Sequence, residues 1–208
     1  MSKIDKVDKV IQIDKDGMLV DSKVIPRRFP AIEHGPLSEI RAIIVHQTDA
    51  PTAQHTFNAY NREGNGAHFL IDKNGIIYQT ASVKARCYHV GRYIKSKCLA
   101  IDKATCNQKS MAQMLALSWT KQIKAIDAHE RAKNYPARYP VNSDSIGIEL
   151  VGQSTSEKTY EAVTAQQNSS LRWLVGELHE RFGIASSEVY RHPDVSYKNP
   201  GEASSAQW

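Results

Sequence analysis

Short apolar runs typical of buried β-strands recur along the chain, and segments with helical periodicity separate them. These runs lie at 41–46, 67–72, 76–80, 145–151 and 187–191. The run at 41–46 is too short for a buried helix and is rich in isoleucine and valine, which favours a strand. Two other runs flank Asn74-Gly75, a dipeptide typical of a tight hairpin turn. A sheet is therefore the expected centre of the fold.

Three segments carry the signals of helices. Pro51-Thr52 opens a predicted helix that reaches about Tyr60. Thr164 with Gln167 forms a capping box, and the helix that follows is expected to end at Gly183. Over 110–133, apolar residues recur at helical spacing and predict one amphipathic helix; they are Met111, Leu115, Trp119, Ile123 and Ile126. The order of strands and helices in 208 residues predicts a single α/β domain with helices packed on a sheet.

The N-terminal part precedes this pattern. Residues 9–25 are interpreted as a hairpin around Asp16-Gly17. Residues 26–38 are rich in proline and are expected to be irregular.

The positive charge of the chain is concentrated in one internal segment. The net charge is +5, yet residues 84–138 hold twelve Lys and Arg against three Asp and Glu, and the remainder is net acidic. An excess of this kind suggests an anionic partner. No nucleic-acid-binding motif accompanies it, aromatic residues make up 8% of the chain, and the lysines are scattered, so we expect no nucleic-acid partner.

The cysteines and the first residues of the chain indicate the cellular compartment in which the protein is made. The start is polar and lacks the apolar centre of a signal peptide, so we expect synthesis in the cytoplasm without such a signal. No apolar run is long enough for a transmembrane segment. The three cysteines favour free thiols, and the alternative is one Cys98–Cys106 bridge formed after export.

Several polar residues stand where a sheet places active sites. His46 and His192 each end a predicted strand, so they are candidates for a metal pair or for hydrogen-bonded structural residues. Glu149 lies inside an apolar strand, where it either faces solvent or acts as a general base beside a metal. Lys198, in the loop after His192, is either a surface lysine or a fixed charge for a developing oxyanion.

These pieces, in this order, resemble the zinc-dependent N-acetylmuramoyl-L-alanine amidases, a family shared with peptidoglycan recognition proteins and phage amidase lysozymes. The matching blocks are Ile43-Ile44-Val45-His46-Gln47-Thr48, the segment from Ala67-His68 to Gln79, Tyr88-His89-Val90-Gly91, Ser145-Ile146-Gly147-Ile148-Glu149-Leu150, and His192 to Gly201. The resemblance implies a central mixed β-sheet flanked by helices. It also implies an N-terminal extension over 1–37 and a catalytic domain over 38–208 with a helical insertion at about 93–142.

The resemblance also implies roles for single residues. His46 and His192 correspond to zinc ligands, Glu149 to the catalytic glutamate and Lys198 to the catalytic lysine. His68, His89 and Thr48 correspond to positions that bind substrate. Related phage enzymes carry a catalytic tyrosine where this chain has Ala67, which makes Glu149 the better candidate for the base. The implied reaction is hydrolysis of the amide between N-acetylmuramic acid and the L-alanine of the stem peptide.

The third zinc ligand departs from the family pattern, in which Cys or Asp precedes the proline. Here Asn199 precedes Pro200-Gly201, and a neutral amide is a poor zinc ligand. Glu202 or Asp194 can take that place, or Asn199 can hold the metal weakly with water. A further alternative is a domain that binds peptidoglycan without cutting it.

The biological setting has three candidates: cytosolic recycling of muropeptides, a phage lysin, or an injected antibacterial effector. A basic chain with an insertion suits an effector or lysin that acts on intact peptidoglycan after export or injection into the periplasm. An effector of this kind implies a neutralising immunity protein as a second partner.

Overall fold

The computed structural model describes residues 10–62 and 64–208 of the chain. The strands are β1 (Gln12–Ile13), β2 (Leu19–Val20), β3 (Val24–Pro26), β4 (Glu33–Pro36), β5 (Ala42–Gln47), β6 (Phe69–Ile71), β7 (Ile77–Gln79), β8 (Ala85–Cys87), β9 (Ser145–Leu150), β10 (Ser154–Ser156), β11 (Thr159–Tyr160) and β12 (Val189–Arg191). The helices are α1 (Ala53–Tyr60), α2 (Lys97–Ile101), α3 (Gln108–Leu115), α4 (Trp119–Arg131), α5 (Ala165–Phe182) and α6 (His192–Val195).

Six strands form the central sheet in the order β12-β5-β9-β6-β7-β3. Neighbouring strands are parallel except β6 and β7, which form the hairpin predicted around Asn74-Gly75. The sheet is therefore mixed, and helices pack on it, which confirms the predicted α/β fold class. Because β12, β5 and β9 run in the same direction, their carboxyl ends meet at one edge of the sheet.

One face of the sheet is covered by α5. This helix begins at the capping box of Thr164 and Gln167 and ends at Gly183, whose φ of 64° is the left-handed conformation that glycine adopts easily. Its apolar side chains pack on the strands and form the largest core cluster; they include Leu171, Leu174, Val175 and Leu178. Both ends of this helix are where the sequence predicted them.

The opposite face of the sheet carries the polar side chains. Leu70 on this face is covered by α1 through Phe57 and Tyr60. His46 and Glu149 are register partners on the parallel strands β5 and β9. Register partners in a parallel pair point to the same face, so these two side chains lie beside each other beyond the part of the sheet that α1 covers.

The N-terminal part contributes to the sheet. β1 and β2 form the predicted hairpin, and β3 pairs with β7 at the sheet edge. The expectation that 26–38 is irregular was wrong for its second half, because β4 pairs with β8. Proline at both ends of this segment hides the strand in the sequence, since proline removes a backbone donor and weakens any strand signal.

The segment 93–142 contains α2, α3 and α4. The single helix predicted over 110–133 was wrong: α3 ends at Leu115, and α4 begins at Trp119. Met111 is buried with Cys98 and Cys106, and Ile126 is buried on α4 outside this cluster. Leu115 and Trp119 are 45% and 63% exposed, so the apolar face is not continuous across the break.

Cys98 and Cys106 form a disulfide that joins α2 to the segment before α3. The sequence favoured free thiols, and only the buried Cys87 is free among the three. The eight-residue separation of the pair is compatible with either state, so the sequence did not decide between them. Among the described residues, no helix has both the length and the apolar character needed to cross a bilayer.

Candidate active site

A cleft of about 1000 Å³ opens at the carboxyl edge of the sheet. Its walls come from the ends of β5, β9 and β12, from the loops that follow them, from α1 and from the segment after β8. The predicted site residues that line it are His46, Thr48, His89, Glu149, His192, Lys198, Asn199 and Glu202. Polar side chains from distant parts of the chain therefore converge in one concave surface.

His46, His192 and Glu202 form the tightest polar cluster in this cleft. All three are buried, and each offers one ligand atom such that the three atoms lie within 4.8 Å of one another. Nδ1 of His192 is 2.8 Å from Oε1 of Glu202, and Nδ1 of His46 is 3.5 Å from the same oxygen. Two imidazoles and one carboxylate are a donor set used by catalytic zinc sites, so these residues form a possible metal site.

The nitrogens of the two histidines that face away from Glu202 also have partners. Nε2 of His192 is 3.0 Å from the carbonyl oxygen of Val90, and Nε2 of His46 is 3.1 Å from Nδ1 of His89. Contacts of this kind fix the orientation of metal-binding histidines. The nitrogens aimed at Glu202 are thereby held in place.

Electrostatics keeps His46 and Glu202 in the form that a metal requires. Burial, together with the neighbouring His192, lowers the pKa of His46 to about 4. Burial by itself raises the pKa of Glu202, but hydrogen bonds with His192 and His46 outweigh it and hold that pKa at about 2. At neutral pH His46 is therefore a neutral imidazole and Glu202 a carboxylate, and a metal competes with no proton at either group.

Glu149 lies beside this cluster and does not face open solvent. Burial and, to a smaller extent, the charge of Glu202 raise its pKa to about 8 against the opposing charge of Lys198. Its Oε2 atom is buried and has no hydrogen-bond partner among the described residues. An unpaired carboxylate oxygen in a cleft is available to a reacting molecule.

Lys198 and Thr48 lie on the wall of the same cleft. Lys198 is exposed, and its charge acts on both Glu149 and His46. The hydroxyl of Thr48 accepts hydrogen bonds from the backbone N–H groups of Ala50 and Gly152, at 3.1 and 3.2 Å. Both side chains are therefore placed where a bound molecule would meet them.

His89 is buried between the cleft and the sheet. A Cβ atom on Gly147 would lie 2.8 Å from Cγ of His89, so only glycine at this position of β9 leaves room for the ring. The backbone N–H of His89 donates to Oδ1 of Asn142 at 3.0 Å. His89 therefore supports His46 from behind and also reaches the cleft surface.

His68 does not line the cleft, so the expectation that it binds substrate was wrong. It is fully buried, with Nδ1 accepting from the N–H of Gly147 at 3.0 Å and Nε2 2.9 Å from the carbonyl oxygen of Ala85. The ring ties β9 to β8, and no nitrogen is left for a ligand. The sequence places His68 directly before β6, and that position alone does not show which way the ring points.

Two of the alternatives for the third metal ligand do not reach the cluster. Asn199 uses Oδ1 to accept from the N–H of Gly201 at 2.9 Å and Nδ2 to donate to the carbonyl of Ser156 at 3.4 Å. Asp194 is exposed, and its carboxylate accepts from the N–H of Arg191 at 3.2 Å. The loop geometry thus leaves Glu202 as the residue that clusters with His46 and His192.

Sequence reasoning missed two residues that hold Glu202 in place. Gln47 donates its backbone N–H to Glu202 Oε1 at 3.4 Å and accepts from the N–H of Ala203 at 3.2 Å. Arg191 donates to the carbonyls of Ala203 and Ala206 at 3.0 and 2.7 Å. Its guanidinium also lies over the ring of Trp208, 4.7 Å from the centroid. Gln47 follows His46 and Arg191 precedes His192 in the sequence. This adjacency is the only sequence feature that could have pointed to them.

We expect Arg191→Ala to weaken zinc binding by about 10–100-fold, the usual effect of losing an outer contact to a metal site. The reason is that the turn carrying Glu202 loses both of its bonds to the end of β12. Competition with a chromogenic chelator measures the change. Arg172→Ala, an exposed arginine on α5, is the matched control. Equal zinc affinity in both variants would contradict the role given to Arg191.

Comparison with known proteins agrees with this geometry. The sequence profile described as N-acetylmuramoyl-L-alanine amidase matches residues 36–203. A search of curated proteins gives no match.

Solved structures share the fold at low sequence identity. A selenomethionine derivative of AmpD superposes with a TM-score of 0.52 at 19% identity, covering 95% of this chain and 96% of that chain. AmpDh3 of Pseudomonas aeruginosa, solved in complex with anhydromuramic pentapeptide, gives 0.51 at 15% identity over 89% and 58% of the two chains. The catalytic domain of XlyA gives 0.50 at 17% identity over 84% and 87%. The chain therefore belongs to the N-acetylmuramoyl-L-alanine amidase family, and it is a peptidoglycan amidase.

Proposed function

We propose that the chain is a zinc-dependent hydrolase that cuts the amide between N-acetylmuramic acid and the L-alanine of the stem peptide. The observation that carries this proposal is the register of His46 with Glu149 on neighbouring strands. This register puts a candidate base beside the cluster of His46, His192 and Glu202. Zinc held by those three side chains would supply Lewis-acid polarisation of the scissile carbonyl and of water.

Glu149 is the proposed general base and acid. In its ionised form, its unpaired Oε2 takes a proton from the water that attacks the carbonyl carbon, while the second water proton stays with the new carboxyl group. When the C–N bond breaks, Glu149 returns its proton to the nitrogen of the leaving alanine. Lys198 supplies a positive charge on the cleft wall for the oxyanion that develops in between.

We propose that the enzyme acts outside the cytoplasm, as an antibacterial effector or a lysin, after export or injection into the periplasm. The Cys98–Cys106 disulfide supports this setting, because disulfides persist in oxidising compartments and are rare in the cytosol. A basic insertion also favours contact with an anionic cell wall. For an effector, an immunity protein that covers the cleft is the expected second partner.

Digestion of purified sacculi with and without a chelator tests the proposed reaction. We expect stem peptides with a free L-alanine amine to be released, release to stop with the chelator, and zinc to restore it. Mass spectrometry of the products identifies the bond that is cut. Zinc-replete protein that binds sacculi and releases no amine would refute the proposal and support a binding module.

Assay of a small soluble muropeptide alongside intact sacculi tests the proposed setting. Faster turnover of sacculi is the result expected of an effector or lysin. A marked preference for the soluble fragment would instead support a recycling enzyme and would contradict the proposed site of action.

A further inference from the structure

Trp119, the first residue of α4, is a large aromatic side chain exposed on the surface of the insertion. It is 63% exposed, a large fraction for a tryptophan in a folded domain. Its ring and that of Tyr197 are nearly perpendicular, with an angle of 85° between the planes and 5.5 Å between the centroids. The indole is therefore held by a second aromatic ring and yet remains open to a ligand.

Tyr197 connects Trp119 to the cleft. It directly precedes Lys198, which lines the cleft. A bridge between Ile94 and Ser196 fixes the backbone next to it against the start of the insertion. Trp119 is thus linked to the residue next to Lys198 on the cleft wall.

A cation accompanies this aromatic pair. Nζ of Lys95 lies 5.8 Å from the centroid of the Tyr197 ring and donates to the carbonyl of Pro193 at 2.6 Å. We call the surface formed by Lys95, Trp119 and Tyr197 the aromatic ledge.

The chemistry of the ledge matches that of a glycan strand with peptide branches. A flat, exposed aromatic ring covers the apolar face of a sugar ring, and the neighbouring ammonium of Lys95 attracts the carboxylates of stem peptides. A polymer bound in the cleft can extend onto a neighbouring surface of this kind.

We propose that the aromatic ledge is a glycan-strand subsite that makes this amidase favour polymeric peptidoglycan over small soluble muropeptides. The inference rests on the proposed function, because it places the ledge next to the bond that is cut. It assigns binding to Trp119 and gives it no part in the chemistry.

Trp119→Ala tests this inference, since an exposed side chain can be removed without disturbing the core. We expect KM for sacculi to rise about fivefold to tenfold, the loss of one aromatic contact, with kcat and KM for a small muropeptide unchanged. Trp119→Phe keeps a ring and should restore most of the affinity. Ile101→Ala, 65% exposed on the same insertion, is the control and should behave as the unmodified chain.

Co-sedimentation with sacculi, in a Glu149→Gln background that prevents digestion, keeps the test separate from the reaction. Weaker sedimentation of Trp119→Ala alone supports the ledge even if the bond that is cut proves to be a different one. If Trp119→Ala sediments with sacculi as well as the parent protein does, the inference is overturned. A contact between Trp119 and a protein partner would not rescue it. An equal loss with both substrates also overturns it, because the effect would then lie in the cleft.

Discussion

Replacing Glu149 by glutamine should lower the turnover of sacculi by about 10²–10⁴-fold, the range expected for loss of a general base. The amide keeps the shape of the side chain but cannot take a proton from water. Glu149 is not one of the three clustered metal-ligand candidates, so zinc affinity should stay close to that of the unmodified chain. Product release and zinc stoichiometry, measured on the same preparation, check both parts of this prediction.

A second property of the same variant separates catalysis from stability. In the metal-free protein, burial raises the pKa of Glu149 from 4.5 to about 8. Between these values the folded state binds the proton more tightly than the unfolded state, so stability falls as the pH rises. Glutamine does not titrate and escapes this loss.

Thermal unfolding in the presence of a chelator measures the difference. Glu149→Gln and the unmodified chain should unfold at similar temperatures near pH 4.5, and the variant should be the more stable at pH 8. Because the cleft admits solvent, we expect a gain of about 2 kcal/mol rather than the larger value of a dry site. Full activity in Glu149→Gln would remove Glu149 as the base, and a constant difference across this pH range would show that its pKa is ordinary.

The fold could be predicted from local signals because each of its main elements carries one. β5 and β9 are continuous apolar runs, and α5 has a cap at each end. The break between α3 and α4 could not be predicted in this way. Helical spacing continues through Leu115 and Trp119, but the backbone is extended at Ser118, and Met111 and Ile126 are buried in separate places. Tertiary contacts decided this point against local periodicity.

The orientation of Glu149 shows what the alternation of side chains along a strand can predict and what it cannot. Ile146, Ile148 and Leu150 point toward the core covered by α5, so Glu149 must point to the other face. Alternation cannot tell whether that other face meets open solvent or a cleft. The cleft is formed by loops and by α1, which lie far from β9 in the sequence.

The sequence could not identify the third candidate metal ligand either, because contacts between distant parts of the chain position it. Glu202 reaches the cluster because Gln47, 155 positions earlier, and Arg191 hold the turn around Ala203. A Cβ atom on Gly201 would lie 2.3 Å from the carbonyl oxygen of Lys158, so this glycine allows the close approach of two loops. Such long-range contacts leave no periodic signal in the sequence.

Replacing Glu202 by glutamine should weaken zinc binding by more than about 100-fold, beyond the loss typical of an outer contact, and abolish turnover at limiting zinc. The side chain supplies the only carboxylate of the cluster of three candidate ligands. Its pKa of about 2 keeps that carboxylate ionised at any working pH. Glutamine removes the charge and preserves the shape of the side chain. Its neutral amide is a poor zinc ligand beside His46 and His192. Equilibrium dialysis against zinc, followed by metal analysis, measures the change.

Asn199→Ala is the matched control. Asn199 lines the same cleft, but its side-chain amide is hydrogen-bonded to the backbone of Gly201 and Ser156. Its zinc affinity should stay within a few-fold of the unmodified chain, or about 1 kcal/mol. The reverse result, with tight zinc binding in Glu202→Gln and weak binding in Asn199→Ala, would restore the asparagine as the ligand. It would also mean that the loop rearranges when the metal binds, since the Asn199 amide would have to leave both of its backbone partners.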